Sequence, residues 1–111
     1  ELISAIDGFT SELDIFWAVA AGKSPLELMK KYGKALSAVH IKEMDKRTKA
    51  EAREYPNAIV GEGKSDCEKA IKLAKQMGIN LFILEVEGFP CEVSEYLKKS
   101  CDKMKEFAAK Y

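Results

Sequence analysis

The chain has 111 residues, with 18 Lys+Arg against 18 Asp+Glu, 47% apolar and 32% charged residues. That balance belongs to a globular domain and excludes a disordered or membrane-spanning chain, since no apolar run approaches the ~18 residues a spanning helix needs. Zero net charge argues against a broad nucleic-acid or anionic-membrane surface.

No charged-then-apolar leader opens the chain, so secretion has no support. The first residue is Glu1 rather than Met, which leads us to expect a processed chain or a piece of a longer polypeptide. Cys67, Cys91 and Cys101 are odd in number and form no Cys-x-x-Cys. They argue against a disulfide framework or a structural zinc site and for a reducing, cytoplasmic setting.

Residues 1–8 look like the tail of a helix stopped at Gly8. Residues 12–17 form a short strand candidate rich in aromatic and branched side chains. Ser24-Pro25-Leu26-Glu27 is a helix start with a capping box and proline at the first position. Leu26, Met29 and Tyr32 give that helix its buried side, and Gly33 suits a stop at positive φ. Residues 36–42 are a second strand candidate. Residues 43–54 carry eight charges of mixed sign in twelve positions and read as a solvated loop or short exposed helix.

Gly61-Glu62-Gly63-Lys64 lacks the spacing of a phosphate cradle and reads as a turn. It leads to a second capping box, Ser65-Asp66-Cys67-Glu68. The helix that follows buries Cys67, Ala70, Ile71, Ala74 and Met77, at helical spacings, and closes at Gly78. Residues 79–86 are the clearest strand, nearly continuous in apolar residues as a parallel strand covered on both faces is. In the last helix, Val93, Leu97, Cys101, Met104, Ala108 and Tyr111 mark an inner side. The alternation of strand and helix predicts an α/β fold with parallel strands and right-handed crossovers.

Each strand carries an ionisable residue near its C-terminal end, where α/β proteins build their sites: Asp14, His40 and Glu85. Strand side chains alternate. Glu12, Asp14 and Phe16 therefore share one face, Ala38, His40 and Lys42 another, and Leu81, Ile83 and Glu85 a third. The greasier faces of the first two strands are expected to meet the helices, and the opposite faces to converge with Asp14, His40 and Glu85 at similar height. One Asp, one His and one Glu can coordinate Mn²⁺, Mg²⁺, Co²⁺ or Zn²⁺. A histidine paired to a carboxylate without metal is the alternative.

Five segments occur in order: Leu13-Asp14-Ile15-Phe16-Trp17, Ala21-Gly22-Lys23-Ser24-Pro25, Val39-His40-Ile41-Lys42-Glu43, Val60-Gly61-Glu62-Gly63 and Ile83-Leu84-Glu85. Together they resemble the C-terminal part of the sugar phosphate isomerase/epimerase family, the xylose isomerase-like (β/α)8 TIM barrels. The resemblance implies that residues 1–111 are a C-terminal fragment of such a barrel, carrying strands six to eight. It implies a divalent metal held by Asp14, His40 and Glu85, with a further glutamate from the fifth strand that no residue here supplies. Glu85 would also be one of two glutamates moving a proton beside the carbonyl of a sugar or sugar phosphate.

Lys42 would face the same cavity and bind substrate oxygen or phosphate, or else lie solvated at the rim. Lys46 or Arg47 would reach an anionic group. Members of the endonuclease IV-like branch often place His three residues after the aspartate. Trp17 stands there instead, which disfavours a three-metal nuclease site and leaves Trp17 either as a wall against a sugar face or as a core residue. Glu43 stands where many relatives have Asp.

A full barrel takes roughly 250 residues and eight strands. Three strands leave two unpaired edges and a bare face on which Leu81, Ile83, Phe16 and Ala38 would meet water. We therefore expect a missing N-terminal barrel half, or other copies of the chain, to cover it. Two copies supply only six strands, too few to close the barrel. The alternative to part of an enzyme is a non-catalytic, self-associating module that lacks a complete site.

Overall fold

The computed structural model describes residues 11–49 and 56–111. The expected helix tail at residues 1–8, and residues 50–55 of the charged stretch, lie outside them. The elements run β1 (Ser11–Asp14), α1 (Ile15–Ala20), α2 (Pro25–Tyr32), a 3-10 turn (Gly33–Ala35), β2 (Leu36–Ile41), α3 (Cys67–Gln76), β3 (Phe82–Leu84) and α4 (Val93–Lys110). The three strands form one parallel sheet in the order β1-β2-β3.

The first strand is shorter than its sequence suggests. Asp14 is the last residue of the ladder, and its carboxylate accepts the Trp17 backbone N–H at 3.1 Å, which caps α1. A short polar side chain at that position satisfies a donor that the first helical turn leaves open. Ile15 and Phe16 therefore enter the core from a helix, not from a strand. In an unbroken apolar run, periodicity alone does not separate the two.

α2 starts as its sequence requires: the Ser24 hydroxyl accepts the Glu27 N–H and Pro25 opens the helix. Gly33 ends it with φ +34°. Met29 is buried, with Leu26 and Tyr32 packed at its margin. β2 is the central strand. Val39 and Ile41 point into a core shared with Ile15, Met29, Ala70, Ile71 and Phe107. Removing side chains such as Ile71 from water stabilises the fold by about 1.5–3 kcal/mol each.

α3 buries Cys67, Ala70, Ile71 and Ala74, as its spacing predicts, with Met77 packed beside them. Its start differs. Asp66 takes a left-handed conformation (φ +57°) and makes no side-chain cap, while the Ser65 hydroxyl accepts the Met44 N–H at 2.9 Å instead. The capping box gives way to a bond that ties the helix start back to the end of β2.

Two further expectations are corrected. β3 spans only Phe82–Leu84, and its side chains are half-buried, with Leu81 53% exposed, so the strand is not covered on both faces among the described residues. The face expected to meet water is only partly bare: Phe16 lies in α1 and is buried, and Ala38 is buried too. In α4 the inner side is turned at its N-terminal half. Tyr96 and Ser100 are buried, whereas Val93 and Leu97 are exposed. Met104 and Ala108 do pack on the core beside Phe107. The far end of α4 is held to α3 by Lys110 and Tyr111, which donate to Glu68 at 2.7 and 3.1 Å.

The charged stretch after β2 is not a solvated loop at its start. Glu43 is buried, and its side chain accepts N–H groups from Met44 (3.2 Å), Ser65 (2.8 Å) and Gly61 (3.0 Å). Gly63 belongs to this cradle: a Cβ there would stand 2.0 Å from the Met44 carbonyl oxygen and 2.6 Å from the Glu43 side chain. The segment is thereby pinned where β2 ends, directly after His40 and Lys42. Among the described residues no helix is long and apolar enough to cross a membrane. All three cysteines are free, with Cys67 buried.

Candidate metal centre

Parallel register sets the site. Asp14 stands opposite His40 across β1 and β2, and His40 stands opposite Ile83 across β2 and β3. Glu85 lies two residues beyond Ile83, so its side chain returns to the same face. Its backbone N–H still donates to the Ile41 carbonyl at 3.0 Å, which extends the ladder one bond past β3. Asp14, His40 and Glu85 thus meet at the C-terminal rim of three neighbouring strands. Each offers a ligand atom, and these atoms lie within 4.8 Å of one another.

Both nitrogens of His40 are engaged. Nδ1 is 2.8 Å from a Glu85 carboxylate oxygen and Nε2 is 2.5 Å from Glu12. The Glu85 hydrogen bond, reinforced by Glu12, holds the His40 pKa above its ordinary 6.5. The same bond to His40 holds the Glu85 carboxyl below the usual range. Burial pushes the Asp14 carboxyl up, and the neighbouring Glu85 adds to that. Burial and Glu85 shift Asp14 upward while His40 shifts Glu85 downward, so of the two carboxyls Asp14 holds a proton the more tightly.

The donor set fits a divalent ion: two carboxyl oxygens and one imidazole nitrogen at a half-buried rim. Ligand atoms ~2.1 Å from one ion are at most ~4.2 Å apart. Tetrahedral or cis-octahedral neighbours sit closer still, at ~3.0–3.4 Å, so a pair 4.8 Å apart has to close by about 1.5 Å. One oxygen of Asp14 is committed to the helix cap, which orients the carboxyl and leaves the other oxygen for a ligand role.

Glu12 shares the Asp14 face by strand alternation, but no motif in the sequence marks it as a partner of His40. With Glu12 holding Nε2, Nδ1 is the nitrogen turned toward Glu85, the arrangement by which an outer carboxylate orients a ligating histidine.

The remaining site candidates divide. Lys42 is fully buried, with Nζ 4.5 Å from the Phe16 ring centroid and 4.7 Å from that of Trp17. It is not a solvated rim lysine. It follows His40 by two residues, just past the C-terminal end of β2 where the cluster sits. Trp17 is 43% exposed and packs edge-on to Phe16 at 5.0 Å, which places it at the site's margin and not in the core. Arg47 is 90% exposed, and its guanidinium closes on Asp45 at 2.8–2.9 Å. That pair holds the Asp45 carboxyl down at about 2. Arg47 is thus engaged with Asp45.

No protein-family model and no curated protein matches the chain. Solved structures do. Two crystal structures of sugar phosphate isomerase/epimerases from Parabacteroides distasonis ATCC 8503 superpose on it with TM-scores of 0.58 and 0.59, at 21% and 24% identity. Each match covers 85% of this chain but only 30% or 29% of the solved one. The chain therefore spans about 30% of the length of these relatives in fold, and its parallel β/α arrangement is similar to one part of a sugar phosphate isomerase/epimerase structure.

Proposed function

We propose that this chain is the C-terminal part of a metal-dependent sugar or sugar phosphate isomerase/epimerase, with β1, β2 and β3 as strands six, seven and eight of a (β/α)8 barrel. The observation that carries this reading is the meeting of Asp14, His40 and Glu85 within 4.8 Å at one rim of a parallel sheet. A match to only 30% of each solved relative supports a missing barrel portion, which would bring the fifth-strand glutamate.

In this reading Asp14, His40 and Glu85 hold Mn²⁺, Mg²⁺, Co²⁺ or Zn²⁺. Such an ion would supply positive charge that stabilises a developing negative oxygen of the sugar. Glu85 takes the proton from the carbon next to the carbonyl, and the C–H electron pair passes to the carbonyl oxygen as an enediolate. Return of a proton to the former carbonyl carbon, with the hydroxyl proton passing to the former carbonyl oxygen, gives the isomer, and return to the opposite face of the original carbon gives the epimer. Asp14 keeps its capping bond throughout and so fixes the rim on which the sugar rests. Trp17 borders the site as an apolar wall.

A second reading has its own support. Leu81 and Trp17 are 53% and 43% exposed, so the chain has apolar surface to cover. A non-catalytic module that associates with copies of itself would cover it without a working site. The test is deuterium uptake. The complete polypeptide that contains this chain, incubated with a ketose in D2O, should incorporate deuterium next to the carbonyl, and Glu85→Gln should abolish it. Absence of exchange with intact metal loading would favour the module.

A further inference from the structure

Lys42 and Glu87 form a pair whose two halves differ sharply. The Lys42 ammonium is fully buried and makes no hydrogen bond among the described residues, while the Glu87 side chain, with an oxygen 2.9 Å away, is 63% exposed. The Glu87 backbone is fixed, because its N–H donates to the Asn57 side chain at 3.2 Å. Its carboxylate can therefore swing into solvent without moving the chain. Lys42 cannot follow: Phe16 and Trp17 flank its Nζ at 4.5 and 4.7 Å.

Ring faces ease the burial of an ammonium but do not neutralise it. A desolvated cation needs an anionic partner, and Glu87 is the one paired with it here. If Glu87 swings away, the buried ammonium is left against the Phe16 and Trp17 rings with an open place for another negative oxygen.

We propose that Lys42 is an oxyanion seat of the site and that Glu87 is its resident stopper, displaced when a ligand brings its own charged oxygen. The proposal rests on the reading of Asp14, His40 and Glu85 as the reaction centre, and it assigns this centre ligands that carry or develop negative charge. That oxygen is either one next to the carbonyl, charged as the proton leaves, or part of a phosphate.

The test uses Trp17, the single tryptophan of the chain, as a reporter 4.7 Å from Nζ. Its emission is followed on addition of inorganic phosphate without metal, and of glycolate, a 2-hydroxy carboxylate, with Mn²⁺. Glu87→Gln should tighten binding about 2- to 5-fold, the range for release of a partly exposed ion pair. Lys42→Met should weaken it by at least about tenfold, through loss of a charge-assisted contact. A response to phosphate assigns the seat to a phosphate group; a response to glycolate alone assigns it to the oxygen at the reacting carbon.

The proposal is overturned if Glu87→Gln leaves binding unchanged or weaker, if Lys42→Met binds both probes as the parent does, or if neither probe binds. Glu87→Gln alters an exposed side chain, so it decides the question even if Lys42→Met fails to fold. Should Mn²⁺ not bind while phosphate shows the expected pattern, the metal reading falls and the seat stands.

Discussion

Glu43→Gln tests the cradle that fixes the end of β2. In the native chain one Glu43 oxygen accepts N–H from Met44 and Ser65, and the other accepts Gly61 N–H. A glutamine keeps one oxygen. In its better orientation the oxygen stays with Met44 and Ser65, and the new NH2 faces the Gly61 N–H. One donor loses its acceptor, at a cost of about 1–3 kcal/mol. With a middle value of about 2 kcal/mol, Tm falls by about 8 °C. Glu43→Ala goes further. The Met44 N–H still has the Ser65 hydroxyl at 2.9 Å, but Gly61 and Ser65 N–H are both stranded. That loss of about 2–6 kcal/mol is large against a total stability of about 5–15 kcal/mol. Urea unfolding followed by far-UV circular dichroism gives the difference. A Glu43→Gln protein within about 0.5 kcal/mol of the parent would show that the side chain is solvated, and the cradle would be refuted.

Two further outcomes follow from the site. Asp14→Asn keeps an oxygen for the Trp17 N–H and should hold stability within a few tenths of a kcal/mol, whereas Asp14→Ala should cost about 1 kcal/mol; both should lose Mn²⁺ affinity in calorimetric titration, so equal stability losses would deny the cap. The raised His40 pKa gives a pH dependence of definite sign. The folded chain holds this proton more tightly than the unfolded chain, so its stabilisation is full below 6.5 and fades as pH rises through the higher folded value. Mn²⁺ affinity should run the other way, rising with pH as the imidazole frees Nδ1. Denaturation midpoints and Mn²⁺ titrations across pH 5.5–9 check both, and His40→Ala should flatten the stability trend.

Local signals carried much of this fold. Ser24-Pro25-x-Glu27 and the spacing of Ala70, Ile71 and Ala74 each describe one helix by itself, and both helices form where those residues sit. Strand parity carried the site, because a period of two and a parallel register leave Asp14, His40 and Glu85 only one face to share. What escaped the sequence depends on distant partners. Ser65 abandons its capping role for the Met44 N–H, and Glu43 finds donors at Gly61 and Ser65 across an intervening loop. Eight charges in a row of twelve hide one that is buried. In α4, Val93 and Leu97 mark an apolar stripe, yet Tyr96 and Ser100 face inward, and the Ser100 hydroxyl accepts the Val60 N–H at 3.3 Å. The Tyr96, Ser100, Phe107 spacing is helical too, and was the available signal.

The central claim is that Asp14, His40 and Glu85 grip one cation together. His40 is the single histidine of the chain, so any histidine nitrogen bound to a metal is its own. Electron spin-echo spectroscopy of Mn²⁺ bound to chain with 15N-labelled histidine should show one 15N coupling, lost together with tight binding in His40→Ala. Bound Mn²⁺ without that coupling, or no binding at all, would contradict the account.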